Sequence, residues 1–454
     1  MFVILCGWVG VAPHWLEPPR NLLPALSLSL LIATYVVRTV FRKIWRGPAA
    51  EADSAGPGSG PAADPLLGPD GNWPLVDVVV AARDEEAVIG RLVERVGQLR
   101  YPAGRVRLWV VDDGSEDHTA ELLAELEGRT PQLTVIRRER QAGGGKSGAL
   151  NAVLEQLQGR WMLVLDADAG LQTDLLERLV AHAESGGWSA VQLRKAVVNT
   201  DRNLLTRAQA MEMALDAGIQ EGRLRSGGIG ELRGNGQLLR RDVLEACGGF
   251  NEATVTDDLD LSFRLLLAGH PVGVLWDPPV EEEAVLTLPS LWKQRQRWAE
   301  GGLQRFFDYG PGLISPRLSR RQRLDLAVFF FLQYALPLIA ASDLLAAVLS
   351  ATQPAIWPLS FVAISLTTGA LVIGCRRPSE GPPLPPLNPF SVLLAMIYFT
   401  HWLVVIPAVA VRMAVLPKRL VWAKTLHVGG HPRDPEDQEA TPLPSDSDLS
   451  TQTT

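Results

Sequence analysis

Two hydrophobic patterns divide the chain. From about Leu75 to Glu283, short β-branched runs alternate with stretches whose apolar residues recur every three to four positions. Val76–Ala82, Arg107–Val111, Leu133–Ile136 and Met162–Leu165 read as strands; Glu85–Leu99, Glu116–Glu127 and Gly148–Leu157 read as helices. That alternation implies an α/β fold, a mostly parallel sheet with helices on both faces. Outside this block three long segments are predominantly apolar, Leu324–Leu349, Ala355–Gly374 and Phe390–Val415. A span needs about 20 residues, so these read as α-helical transmembrane segments. Leu22–Val37 joins them as an anchor if Arg38 snorkels and the helix continues to Phe41. Met1–Val11 is apolar but too short to span, and Pro13, Pro18 and Pro19 follow it.

Charge orients these segments. Arg38, Arg42, Lys43 and Arg46 follow the anchor, and Arg317, Arg320, Arg321 and Arg323 precede the second apolar run. The positive-inside tendency places those ends, and the block between them, in the cytoplasm. Positive charge after the apolar core also marks an anchor rather than a cleaved signal. Three full spans would carry Lys418, Arg419 and Lys424 outside, against the same tendency; either one segment is re-entrant or the chain is an exception to it, and a cytoplasmic tail is the expectation. The expected division is an anchor over 1–46, a Pro/Gly/Ala-rich flexible linker over 47–72, a catalytic domain over 73–285, an interfacial helical region over 286–323, membrane helices over 324–415 and a largely disordered tail over 416–454. The 454 residues, 47% of them hydrophobic, suffice for one such domain and several spans. A net charge of −7 and the lack of a basic stripe interleaved with aromatics exclude a nucleic-acid binder. Cys6, Cys247 and Cys375 are too scattered to form a metal cluster or a disulfide framework.

Four motifs carry candidate chemistry. Asp112-Asp113-Gly114-Ser115 closes the second strand, either as an Asx-type turn or as a carboxylate pair for a nucleobase with backbone access at Gly114. Asp166-Ala167-Asp168 closes the fourth. Residues i and i+2 of an extended segment share a face, so both carboxylates can address one Mg²⁺ or Mn²⁺ ion alongside substrate phosphate oxygens; a solvated strand end is the plain alternative. Thr256-Asp257-Asp258-Leu259-Asp260 is either a capped helix start or the site of a base that deprotonates an acceptor hydroxyl. Glu281, Glu282 and Glu283 read as a solvated face. In Gln294-Arg295-Gln296-Arg297-Trp298, helical spacing puts Gln294, Arg297 and Trp298 on one face, suited to phosphate and stacking. The same stretch also suits a helix lying in a headgroup layer, with Trp292 and Trp298 at its surface. The glycine run Gly143-Gly144-Gly145-Lys146 lacks the first glycine of a phosphate-binding Walker loop, where Arg140 stands. It can still bring Lys146 to a diphosphate.

In this order, the motifs resemble the membrane-embedded, family 2 glycosyltransferases of the GT-A type, relatives of the cellulose, chitin and hyaluronan synthases. Ala81–Ile89, Gly143–Asn151, Gly227–Gln237, Thr256–Leu261 and Arg297–Gly302 look most like the monoglucosyldiacylglycerol synthases of photosynthetic bacteria. The resemblance implies a GT-A Rossmann-like fold and inverting transfer of glucose from UDP-glucose to 1,2-diacylglycerol with Mg²⁺. A processive polysaccharide synthase is the alternative, because the shared motifs do not separate the two. It further implies a multi-pass integral protein of a plasma or thylakoid-type membrane, with its catalytic domain on the cytoplasmic face. Asp84, Asp112, Asp113, Lys146, Asp166, Gln294, Arg297 and Trp298 would bind the nucleotide sugar, and Asp166 and Asp168 the metal. Asp258, with Asp257 where many relatives carry Glu, would be the base. Gly234, Asn235, Gly236 and Gln237 would form the acceptor loop.

Overall fold

The computed structural model describes residues 1–38 and 73–416. The linker expected over 47–72, Arg42, Lys43 and Arg46, and the tail from 417 with Lys418, Arg419 and Lys424 lie outside the described residues.

Seven strands form one sheet: β1 (Val76–Ala82), β2 (Val106–Asp113), β3 (Leu133–Arg138), β4 (Trp161–Leu165), β5 (Ala190–Val197), β6 (Gln237–Arg240) and β7 (Val272–Glu282), in the order β3-β2-β1-β4-β6-β5-β7. β3, β2, β1 and β4 are parallel neighbours, as are β5 and β7. β6 alone runs antiparallel, between β4 and β5. Alternate residues of β1 feed two cores. Val76, Val78 and Val80 pack under α3 (Ile89–Gly97) and, with α4 (Thr119–Arg129) also on that side, towards α6 (Leu175–Ser185). Val79 packs under α5 (Gly145–Leu154), and the same core takes in α8 (Arg241–Ala246) and α9 (Asp257–Leu267). Burial on both faces is why these strands read as unbroken β-branched runs.

Antiparallel β6 has a consequence for the site. Its first residue, Gln237, pairs with Val164 near the carboxyl end of β4. The loop entering β6 is therefore delivered to the sheet edge where parallel strands place their ligand chemistry. β7 runs with β5 and ends on that edge as well.

Beyond the sheet, α7 (Leu204–Arg225) and α10 (Leu288–Asp308) lead to three helices: α11 (Arg320–Ser350), α12 (Trp357–Arg376) and α13 (Pro389–Val415). Among the described residues these three are long and apolar enough to cross a membrane. They begin and end within a few residues of the expected runs. The described part of the expected anchor is α2 (Leu23–Val36) with the preceding turn from Arg20, an apolar stretch shorter than a span; the extension to Phe41 lies outside the described residues. α2 packs on α12, while α1 (Phe2–Val11) packs on the second half of α11, where Gly10 lets its backbone approach Ile339. Met1–Val11, too short to span, is thus one arm of a helical pair laid on the bundle.

An ionic seam joins sheet and bundle. Arg223 of α7 pairs with Glu231 at 2.9 Å and with Asp325 of α11 at 3.0 Å, and Arg305 of α10 reaches Glu231 at 2.8 Å. All four side chains are buried. Burial alone would raise the carboxyl of Glu231, but Arg305, Arg223 and Arg233 hold it far below the ordinary carboxylate range. Asp325 also accepts the Ile229 amide at 3.2 Å, which docks the Gly227–Gln237 stretch onto α11.

Candidate active site

At the carboxyl end of β4 the chain turns, and Asp166 and Asp168 both line a cavity of about 730 Å³. Asp166 receives the Lys146 ammonium at 2.5 Å, and its backbone N–H donates to Asn235 Oδ1 at 3.0 Å. Lys146 reaches it from the first turn of α5, entered through Gly143 (φ 77°), Gly144 (φ 72°) and Gly145 (φ 54°). Three successive left-handed residues suit glycine alone. Burial would lower the Lys146 pKa, but Asp166, Asp257 and Asp258 outweigh it and push it up.

Asp257 and Asp258 open α9 and line the same cavity, across from Gly234 and Asn235 of the loop before β6. The Asp258 carboxyl is raised, first by burial and then by Asp257, against the Leu259 amide, Lys195 and Arg233. A carboxylate kept basic in this way suits proton abstraction. Asp260 does structural work instead: it takes Arg264 at 2.7 Å, the Tyr309 hydroxyl at 2.7 Å and the Asn251 amide at 2.9 Å.

Gln294, Arg297 and Trp298 of α10 close the polar side, all three facing the cavity as their spacing predicts. Among the described residues Arg297 has neither an ion-pair nor a hydrogen-bond partner, which leaves a guanidinium for an incoming anion. Gly301 and Gly302 let α10 pack closely, since a Cβ there would collide with Thr256 at the start of α9 and with Tyr334 of α11.

Asp84, Asp112 and Asp113 gather one step along the same edge, at the ends of β1 and β2, and do not line the cavity. Asp112 Oδ1 accepts the Ser115 amide at 3.0 Å, the Asx-type turn. Asp113 is gripped by Arg83 at 2.8 Å and Arg138 at 2.5 Å. Asp84 accepts the Glu116 amide at 2.7 Å and faces Arg140 at 3.3 Å. Gly236 and Gln237 also lie off the cavity, in the tight entry to β6, where Gln237 is fully buried. The glutamates read as a solvated face are corrected: Glu281 is buried, and Glu282 and Glu283 line the cavity, Glu282 pairing with Lys195 of β5 at 2.9 Å. They turn inward because β7 carries them to the edge where β4 ends.

Residues 74–301 match the family model described as glycosyltransferase like family 2. The chain belongs to glycosyltransferase family 2. Over 375 residues this family 2 transferase is 48% identical to the β-monoglucosyldiacylglycerol synthase of Synechocystis sp., covering 80% of this chain and 78% of that one. It is 44% identical to the enzyme of the same name from Trichormus variabilis, covering 79% and 78%. Among solved structures it is similar to the mannosyltransferase PcManGT from Pyrobaculum calidifontis in complex with GDP-Man and Mn²⁺. That likeness has a TM-score of 0.58 at 20% identity, covers 86% of this chain and 99% of that one, and shows the shared fold.

Several cavity residues of the transferase carry no signature in the chain. Lys195, Arg233 and Glu212 line it, and Arg295 braces it from behind. Arg295 is fully buried, pairs with Glu212, donates to Tyr398 of α13 at 2.8 Å and lies 3.9 Å from the Trp298 ring centre. Standing one residue off the Gln294–Arg297–Trp298 face, it points toward the bundle. Arginine inside a recognised motif was the available signal; its partners, 83 and 103 residues away, were not. Much of the remaining cavity wall is apolar and comes from α7, α11, α12 and α13.

Proposed function

We propose that this family 2 transferase moves glucose from UDP-glucose to the free hydroxyl of 1,2-diacylglycerol, with inversion, to give β-monoglucosyldiacylglycerol. The observation that carries this reading is the shape of the cavity: one continuous space joins Asp166, Asp168 and Asp258 to the apolar walls of three span-length helices. A water-soluble donor and a lipid acceptor can meet there and nowhere else among the described cavities. The near-half identity to enzymes named β-monoglucosyldiacylglycerol synthase supports the choice of sugar and lipid.

In this mechanism Asp258 takes the proton from the acceptor hydroxyl as its oxygen attacks C1 of glucose from the face opposite the diphosphate. The C1–O bond to the diphosphate breaks, and its electron pair leaves with UDP. Lys146 and Arg297 face the diphosphate and balance its charge. Trp298 stacks on the sugar or the acceptor. Asp112 and Asp113, next along the strand ends, are assigned to the uracil together with Asp84, and Asn235 holds the Asp166 turn in place. Asp166 and Asp168 fit a Mg²⁺ or Mn²⁺ site, since a hard cation usually takes one or two carboxylates and completes its shell with phosphate oxygens and water. When bound, the ion would offset the charge of the departing diphosphate.

The same reading makes 73–285 the catalytic domain, 286–323 an interfacial region and 324–415 the membrane helices, with the active site on the cytoplasmic face beside Arg317, Arg320, Arg321 and Arg323. One experiment tests it. Purified protein in phosphatidylcholine vesicles is supplied with a matrix of radiolabelled UDP-sugars, Mg²⁺, and either diacylglycerol or oligosaccharide acceptors, and the products are separated by thin-layer chromatography. A single labelled glucolipid, one sugar per lipid, is expected from UDP-glucose and diacylglycerol. No glucolipid overturns the reading, and a product that lengthens with time replaces it with a processive synthase.

A further inference from the structure

α11 is regular except for one π-turn, Phe331–Ala335, in the part of the helix beside the active site. Such turns recur at functional positions because they shift side chains out of the regular register. Phe329, Leu332, Gln333, Tyr334, Leu336 and Pro337 all line the cavity from this stretch. Four of these six are apolar; the other two, Gln333 and Tyr334, lie inside the π-turn, and the Tyr334 hydroxyl meets Arg305, which leaves the Gln333 amide as the exception.

The setting makes that exception informative. Across from α11, the cavity is walled by Ala363, Ile364 and Thr367 of α12 and by Met396, Thr400 and Leu403 of α13. Both threonine hydroxyls donate to their own helices, Thr367 to the Ala363 carbonyl at 2.9 Å and Thr400 to the Ile397 carbonyl at 2.6 Å. Gln333 does not turn back in this way: its amide forms no hydrogen bond with any described residue. A half-buried amide among apolar side chains costs free energy unless a partner satisfies it, and a polar group at membrane depth facing an interior cavity points to a ligand.

We infer that the bundle side of the cavity is the acceptor subsite, and that Gln333 reads the glycerol ester of the lipid. This inference rests on the function proposed above. The acyl chains lie between α11, α12 and α13, against Leu332, Leu336, Ala363 and Ile364. The Gln333 side-chain N–H₂ donates to an acyl-ester carbonyl, which orients the neighbouring free hydroxyl toward Asp258. The ligand class is thus a glycerol diester: the carbonyl supplies the acceptor atom the amide lacks, and the chains fill the apolar wall.

The test compares diacylglycerol with its dialkyl ether analogue, which keeps the hydroxyl and both chains but has no ester carbonyl. Wild-type protein in phosphatidylcholine vesicles is expected to favour the ester in kcat/KM by roughly two- to tenfold, the range one neutral hydrogen bond supplies. In Gln333→Met, which keeps volume and apolar packing, the ester-to-ether ratio should fall to about one, mainly through acceptor KM. UDP binding by calorimetry should stay at the wild-type value in this variant, which verifies its fold. A second variant, Ala363→Phe, narrows the chain-binding wall and should cut transfer to long-chain diacylglycerol far more than transfer to a short-chain one. Three outcomes overturn the subsite: an unchanged ester-to-ether ratio in Gln333→Met, no ester preference in the wild type, or equal losses for both chain lengths in Ala363→Phe. If the wild type makes no glucolipid at all, the functional reading itself has failed, a result distinct from these three.

Discussion

The two walls of the cavity are built by opposite means. On the sheet wall, charge is held by charge: Lys146 by Asp166, Lys195 by Glu282, and Arg233 by Asp216 at 3.1 Å and Glu231 at 3.3 Å. On the helix wall, apolar side chains from three helices face the same space, and polar groups are few. The first arrangement keeps dipoles and ions in place before a substrate arrives, which is how a site stabilises charge that develops during reaction. The second offers area and shape, which suits a ligand recognised by its chains. The contrast explains why the chemistry gathers on one side of a single cavity.

The comparison breaks most sharply at Asp258. Asp258→Asn should lower turnover by about 10²- to 10⁴-fold, the usual contribution of general base catalysis, while UDP binding by calorimetry stays close to wild type. Near-normal turnover would place the base elsewhere. The seam between the walls comes next. Asp325→Ala leaves Arg223 with Glu231 as its remaining carboxylate partner and leaves the buried Ile229 amide without its acceptor, a loss of about 1–3 kcal/mol for the unmet donor alone, so thermal unfolding in detergent should shift downward. Asp325→Asn, which still accepts the Ile229 amide, should fall less.

Arg295→Lys probes the brace between the walls. A point charge cannot keep both the Glu212 contact and the place over the Trp298 ring, and losing a desolvated cation–π contact is worth up to about 2 kcal/mol. Acceptor kcat/KM should drop by up to roughly 30-fold on that scale, with the KM for UDP-glucose little changed; an equal loss in both would mark Arg295 as only structural. The smallest expected effect is on pH dependence. In the proposed role Asp258 must be ionised to act as the base, and its raised pKa means activity should climb with pH through a midpoint above the ordinary carboxylate range. Lys195 lowers that pKa, so Lys195→Met should move the acid limb of kcat further up in pH. A limb that stays put would show that Lys195 does not act on the base.

Legibility followed sequence separation. β1 runs over Val76–Ala82, as expected, because a strand buried on both faces is written as one β-branched run. The helix expected over Glu85–Leu99 starts only at Ile89, since Asp84 adopts φ 54° and the Glu85 amide donates to Thr119 at 2.8 Å, a bond no local pattern shows. The local spacing of Gln294, Arg297 and Trp298 gave their common face, and Asp166 and Asp168 reach one cavity because they follow one strand. Lys195 and Glu282 were not legible as a pair, since they meet only through the β5–β7 register. Gln333 could not be singled out either, being one glutamine in a long apolar run until the cavity gave it a direction.

From the sequence alone came the α/β class, the family, the order of the acidic motifs and three helices of span length. These depend on periodicity and short spacing, which the backbone translates directly into faces and strand ends. Tertiary structure decided which acids share a cavity, which are tied up by arginines as Asp113 is, and that the glutamates after β7 turn inward. It also decided that the cavity holding these acids opens onto the helical bundle. Each of these depends on where distant segments pack, and packing is set by the whole core at once rather than by any local run of residues.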